Sequence, residues 1–332
     1  MIHVGGGVAV AELAVDPEVR ITAHVFERAY GSAPAGVWRA PGGLTLLGGS
    51  PALAVALPWG VMVALGATDD GSAAFYSTSL HTESFSIGCG GLPSALAAGA
   101  VPEWALTAVN ALIVHDRLGT RAPGTRAPGT RAPGTRVLIN RELPGEMGLL
   151  TGAETACAIE LGLRELYAAD ARAYDPTPSY AAALNARPKR ALLVSDTIEH
   201  LPFDLAAVGL RLLIMDVGVD AGAGTAAPVH PAGDLAERAA AALRTGNFPA
   251  LGALLTEAHV RGEALLDLAL DAARAAGALG GLVIGRCGVA LVPMAAVPKI
   301  RAAVTRRLAG QARRPPRFLT AVPAAHNATR AL

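Results

Sequence analysis

Cysteine is scarce in this sequence: Cys89, Cys157 and Cys287 are odd in number and widely spaced. No CxxC pair and no Cys/His cluster accompanies them. That excludes a disulfide framework and a zinc site, and it points to reduced thiols in a cytoplasmic protein. Charged residues are also few, 17% of the chain against 52% hydrophobic, which excludes wholesale disorder and permits a sizeable buried core. Long apolar runs are missing too. The longest, residues 52–67, is interrupted by Pro58 and Gly60 and is too short to span a bilayer comfortably. It reads as two adjacent buried strands, and no membrane contact is expected. The N-terminus lacks a basic segment followed by an apolar stretch and a cleavage site, so no secretion signal is expected either. Nor is there a basic surplus outside one tract. The formal charge is +1, and Arg121, Arg126, Arg131 and Arg136 alone exceed it. The remaining body is mildly acidic, with no expected nucleic-acid partner.

What the chain does have is a short internal repeat, TRAPG, three times over residues 120–134, followed by Thr135 and Arg136. Five residues are too few for a solenoid unit. Pro and Gly in every unit exclude helix and strand, leaving an extended basic loop over 119–136. A tandem duplication tolerated on the surface accounts for it, since extra loop length costs little; the alternative is an electrostatic tether for an acidic partner. Elsewhere Trp104, Leu106, Val109, Leu112 and Ile113 recur at helical spacing within 102–118. Alternation predicts a strand over 136–143, a turn over 143–149 and a helix over 151–167. Buried strands are expected at 191–194 and 210–217, and helices at 234–243 and 248–276. Residues 279–292 are apolar and punctuated by glycine, 297–308 form a basic amphipathic helix, and 318–322 a last strand. Strands and helices mix without a regular βαβ rhythm, which predicts an α+β fold.

Residues 36–50, GVWRAPGGLTLLGGS, resemble the galactokinase signature "APGRVNLIGEHTDYN". The flanks agree: residues 26–31 precede it, and 54–65, Asp70-Gly71 and Ser77 follow as the family's strand pair does. Residues 143–153, LPGEMGLLTGA, resemble the phosphate loop "LPxGxGLSSSAA". Residues 192–201 resemble "LLDCRSL", 213–219 resemble "VIDTGV", and 251–259 resemble "FGxLMxxSH". The order is collinear over nearly the whole chain. The resemblance implies the two-lobed GHMP kinase fold: an N-terminal α+β lobe over 1–186 with the phosphate loop, a ferredoxin-like C-terminal lobe over 187–332, and a ligand cleft between them. It also implies transfer of the γ-phosphoryl of Mg-ATP to a sugar or alcohol hydroxyl.

Phosphoryl transfer is mostly positioning and charge neutralisation, so lost charges matter. The family's signature arginine falls on Gly43, and its sugar-holding Glu and His fall on Gly49 and Ser50. Its catalytic aspartate falls at about Pro178 and Ser179, in a shortened region. Asp175 is the nearest carboxylate, but Pro176 and Pro178 argue against a helical base position there. In the phosphate loop Pro144, Gly145 and Gly148 survive, while Glu146 and Met147 stand at glycine-like positions. Leu150, Thr151 and Gly152 replace three serines. Glu154 stands where a small residue is usual, and Thr151 to Glu154 spells a capping box that can satisfy the N–H groups a phosphate would take. A carboxylate about 5 Å from a phosphate charge costs about 3 kcal/mol at an effective dielectric near 20. The family's C-terminal glycine motif is eroded to LGGLVIGRCG, with Arg286 among the glycines either as an anion receptor or solvated on a loop.

Other signals are weaker. Gly5-Gly6-Gly7 has no framing strand and helix, so a frayed N-terminus fits better than a dinucleotide loop. His115 ends a helix, and His259 reads as a polar residue packed at the lobe interface. The basic residues over 299–314 read as a solvated face. These observations together predict a galactokinase-like pseudokinase that binds a small ligand in the interlobe cleft or acts as a scaffold. No metal and no cofactor is expected beyond Mg-ATP if any kinase activity remains, and no protein partner is named. The alternative is a divergent active kinase or a repurposed cleft enzyme. Asp175, Asp196, Arg39 and Arg286 are its substitute groups.

Overall fold

The computed structural model describes residues 16–79, 84–117, 134–167, 177–219 and 233–332. Gly5-Gly6-Gly7, Asp175 and most of the TRAPG tract lie outside the described residues.

The chain starts with helix α1 (Pro17–Tyr30). Asp16 caps it by accepting the Glu18 N–H, Pro17 occupies the first turn, and Gly31 closes it in the left-handed region. Val19 and Phe26 bury the helix against Met62 and Leu138. Those residues belong to the first sheet, whose path runs through β1 (Gly36–Leu47), β2 (Ala52–Thr68), β3 (Ser72–Ser77), β4 (Ser84–Gly88) and β5 (Gly134–Arg141). Strands β1 and β12 (Thr329–Arg330) pair antiparallel at one edge, so the C-terminus returns to the first sheet.

The apolar run over 52–67 is one strand, not the two expected from the sequence. Pro58 cannot donate to a ladder, and the β1–β2 register accordingly skips from Gly43 opposite Ala56 to Pro41 opposite Gly60. The bulge absorbs the proline, and pairing resumes at Gly60. That glycine is required, because a Cβ there would stand 2.0 Å from the Ala40 carbonyl oxygen.

Helices α2 (Leu92–Ala97), α3 (Leu106–Arg117), α4 (Ala153–Tyr167) and α5 (Pro178–Asn185) complete the first half of the chain. Residues of α3, α4 and α5 bury their apolar faces against Trp38, Val63 and Val137. His115 lies in the last turn of α3, as expected, and is buried with its ring 5.7 Å from that of Tyr167. The TRAPG loop ends earlier than expected. Gly134, Thr135 and Arg136 are in β5, where Arg136 pairs with Asp70 and bonds to Ser72 while lying over the Tyr30 ring.

Strands β6 (Arg190–Val194) and β7 (Ile198–Pro202) form a hairpin on the end of β2, with Leu53 opposite Leu193. The first sheet therefore runs past residue 187. A second, antiparallel sheet has the order β11-β8-β10-β9: β8 (Leu210–Asp216), β9 (Gly280–Ile284), β10 (Cys287–Pro293) and β11 (Arg317–Ala321). Helices α6 (Gly233–Arg244) and α7 (Phe248–Glu257) pack into a core shared by both sheets. Helices α8 (Ala264–Ala275) and α9 (Val297–Leu308) cover the other face of the second sheet. The helix expected over 248–276 is thus two. Glu263 caps α8 by accepting the Leu265 N–H, and Asp267 accepts from Gly262 N–H and His259, so local polar bonds outcompete a continuous helix. The result is the mixed α+β, two-lobed architecture expected from the sequence. Among the described residues no helix is long and apolar enough to cross a membrane.

Candidate functional site

The loop before α4 is turned in on itself. Pro144 leads into a 3₁₀ turn over Gly145–Met147, closed by Gly148 with φ 63°. Met147 N–H donates to Pro144 O and Gly148 N–H to Gly145 O, each at 3.1 Å. Met147 itself inserts into the core shared by the two sheets. The turn between β9 and β10 clamps the loop from outside. Arg286 donates from its own N–H to Met147 O (3.1 Å), from Nε to Glu146 O (2.5 Å) and from Nη2 to Gly145 O (2.9 Å). Cys287 Sγ donates to Met147 O at 3.4 Å, and burial pushes its thiol up to about 12. Arg286, half-exposed in that turn, thus spends Nε and Nη2 of its fork on carbonyls of the segment that resembles a phosphate loop. Arg286→Ala is expected to cost about 2 kcal/mol in urea unfolding, the loss of charge-assisted bonds, and Arg286→Lys to recover little, because an ammonium cannot reproduce the fork.

The two loop glutamates part company. Glu146 is exposed and pairs with Arg317 at 2.8 Å, turned toward the second sheet, so the repulsion expected from it is not realised. Glu154, in the first turn of α4, is completely buried. Its Oε1 accepts the Gly152 N–H at 3.0 Å, while Thr151 Oγ1 accepts the Ala153 N–H at 3.4 Å. The predicted capping box is thus present in shifted form. Gly152 at φ +93° starts the helix later than Thr151, and a Cβ there would meet Thr107 Oγ1 at 2.6 Å. Burial pushes the Glu154 carboxyl above its ordinary value, outweighing the pull of the Glu154 and Gly152 amides, the Arg141 charge and the Thr151 amide.

Helix α5 supplies the opposite wall. Thr177 caps it by accepting the Tyr180 N–H at 3.2 Å, and Pro178 stands at its first position, where no N–H is needed. Pro178 thus starts a helix, while Asp175 and Pro176, on which the expected lack of a helical base position bears, lie outside the described residues. Tyr180 hydrogen-bonds Glu160 of α4, fixing the two helices together. Ser179 Oγ lies 3.1 Å from Thr45 Oγ1 of β1, and Ser179 O lies where a side chain on residue 43 would begin: a Cβ at Gly43 would stand 1.8 Å from it. Between these walls is a cavity of about 280 Å³ carrying the hydroxyls of Thr45, Thr107, Thr151, Thr177 and Ser179. No charged side chain is among its described lining residues.

No protein-family model matches the sequence. A galactokinase of Streptomyces coelicolor is 25% identical over 383 residues, spanning 90% of this chain and 95% of that protein. The galactokinase of Lactococcus lactis, solved with galactose, superimposes with a TM-score of 0.75 at 16% identity, over 94% of this chain and 100% of that one. In sequence the chain is thus similar to a galactokinase, and its fold is that of the GHMP kinases. The fold extends to more distant relatives: a homoserine kinase of Cytophaga hutchinsonii has a TM-score of 0.60 at 17% identity, over 89% of this chain and 96% of that one.

Within this galactokinase-like fold, Thr151 and Gly152 meet Pro178 around one cavity. Other sequence candidates are elsewhere. Arg39 is held by Asp16 at 3.1 Å and Glu142 at 2.7 Å, and Glu142 also accepts the Gly60 N–H, so this arginine ties β1 to the cap of α1 and to the end of β5, away from the cavity lining. Gly49 and Ser50 are exposed in the β1–β2 turn, and Asp196 is exposed in the β6–β7 turn. His259 is buried against Asp267 at 2.8 Å. Thr45, Thr107 and Thr177 were not singled out by sequence, whereas Ser179 was, beside Pro178. Thr177-Pro178 carries a readable helix-start signal; Thr107 carries none.

Proposed function

We propose that this galactokinase-branch chain is a cytoplasmic pseudokinase whose cleft takes a small uncharged ligand, or which serves as a scaffold, and does not phosphorylate a sugar. The observation that carries this reading is the α5 main chain at Ser179, standing where the family's signature arginine would project from residue 43. A second supports it: Pro178 brings neither carboxylate nor N–H to the aspartate position.

The residues present do not fit a magnesium nucleotide. Charge neutralisation of a triphosphate needs cations and free N–H donors. Here Arg39 and Arg286 are engaged elsewhere, the loop amides of Met147, Gly148 and Gly152 have internal acceptors, and the cavity wall is hydroxylic. Hydroxyls both donate and accept, which suits a neutral hydroxylated ligand. The sheet pairing favours a lobe division after Pro202, with β6 and β7 assigned to the first lobe.

The test is a radiolabelled Mg-ATP assay against a panel of hydroxylated metabolites, galactose included. No transfer above the uncatalysed background is expected. Turnover that disappears on mutating one cleft residue would establish an active kinase instead.

A further inference from the structure

The first turn of α4 leaves N–H groups unpaired by the helix itself, and such a turn draws anions through those donors and the helix dipole. Here the segment that resembles a phosphate loop already holds a carboxyl group of its own. Glu154 is the second residue of the helix, is completely buried, and curls back so that Oε1 accepts the Gly152 N–H at 3.0 Å. Its Oε2 is buried and has no hydrogen-bond partner among the described residues. The amides of Thr151, Gly152 and Glu154 itself all act on this carboxyl. Directly beside it lies the hydroxyl cavity, whose wall includes Thr151, Gly152 and Ala153.

We propose that Glu154 is an oxyanion surrogate bound in cis: its carboxyl fills the nest at the start of α4, and that one side chain keeps a latent site for a small oxyanion closed. A buried carboxyl is costly, and the nearby charge of Arg141 offsets only part of that cost. Alanine fits an N-terminal helix turn at least as well. Donors otherwise left without acceptors are what offset the rest. Vacating the nest exposes the same amides, together with the hydroxyls of Thr151 and Thr107, to an anion entering from the cavity. Occupancy by Glu154 presupposes the reading above that nucleotide is not the ligand, yet it is read out separately.

The experiment uses the full chain and inorganic phosphate at pH 8, followed by calorimetry. Wild type and Glu154→Gln, which keeps the fill and an acceptor oxygen, are expected to give no saturable heat. Glu154→Ser and Glu154→Ala, which vacate the nest, are expected to give a saturable phosphate isotherm. Folded Ser and Ala variants that ignore phosphate would overturn the proposal, as would a Gln variant that binds it as tightly as they do. A measurement on the wild type needs no variant to fold: the Gly152 amide should exchange slowly and keep its NMR position when phosphate is added. A phosphate-dependent shift of that resonance contradicts occupancy by Glu154. Transfer of phosphate from ATP by the wild type would instead refute the functional reading.

Discussion

Gly43→Ala is expected to destabilise the fold by about 3 kcal/mol in urea unfolding, and Gly43→Arg by more, without restoring phosphotransfer. The ideal Cβ at this position would stand 1.8 Å from Ser179 O, 2.5 Å from its carbonyl carbon and 2.7 Å from its Cα. All three are main-chain atoms and cannot swing aside as a side chain would. Relief requires α5 to move, yet Tyr180, Ala181, Ala182 and Ala183 of that helix are fully packed and Ser179 Oγ bonds to Thr45. Gly48→Ala, in the same strand-end region, meets nothing within 4 Å and is expected to change stability by less than about 0.5 kcal/mol. A Gly43→Arg variant that folds normally and gains kinase activity would show that α5 yields easily and that arginine alone was missing.

Asp216→Ala is expected to cost about 3 kcal/mol, because it strips a buried acceptor from two guanidinium groups. Asp216, at the end of β8, accepts from Arg314 Nη2 at 2.7 and 2.8 Å, from Arg317 Nε at 2.9 Å and from the Gly218 N–H at 3.0 Å. Burial pushes the carboxyl up, but the Arg314 hydrogen bond, the Gly218 amide and the Arg317 hydrogen bond outweigh it and hold it below the ordinary aspartate value. A depressed folded value means that the unfolded chain binds the proton first as pH falls. The stabilisation is therefore complete above the unfolded pKa of about 3.9 and is lost as pH drops through the folded value. Urea midpoints taken from pH 6 down to pH 3 should fall more steeply for the wild type than for Asp216→Asn. Since Arg317 also grips Glu146, Asp216→Ala should in addition speed hydrogen exchange across residues 145–148. Unchanged exchange there would detach the ion-pair chain from the loop.

Much of the scaffold could be read from the sequence because its signals are local. Val109, Leu112 and Ile113 fall on one face of α3, and the strands near 191–194 and 210–217 are short apolar runs with punctuation on both sides. The features that escaped depend on partners distant in sequence. Whether residues 52–67 make one strand or two is decided by the β1 register, which slips at Pro41 and Gly43 to accommodate Pro58. Pro178 was read only as arguing against a helical position for Asp175, and its place in the first turn of α5, where no N–H is needed, went unread. An arginine among glycines suggests an anion receptor, and nothing nearby reveals that Arg286 meets carbonyls 140 and 141 residues earlier. Glu154 was legible as a capping side chain because both ends of that contact lie within three residues. Its complete burial was not, since that depends on α3 and α5 closing over α4.

Calorimetric titration with Mg-ATP tests most directly whether this cleft receives a nucleotide. With α5 standing in the arginine's place and Glu154 in the nest, no saturable binding is expected below about 1 mM, the upper end of ordinary enzyme–substrate affinities. Magnesium-dependent binding in the micromolar range would contradict the account, whatever the chain then does with the nucleotide.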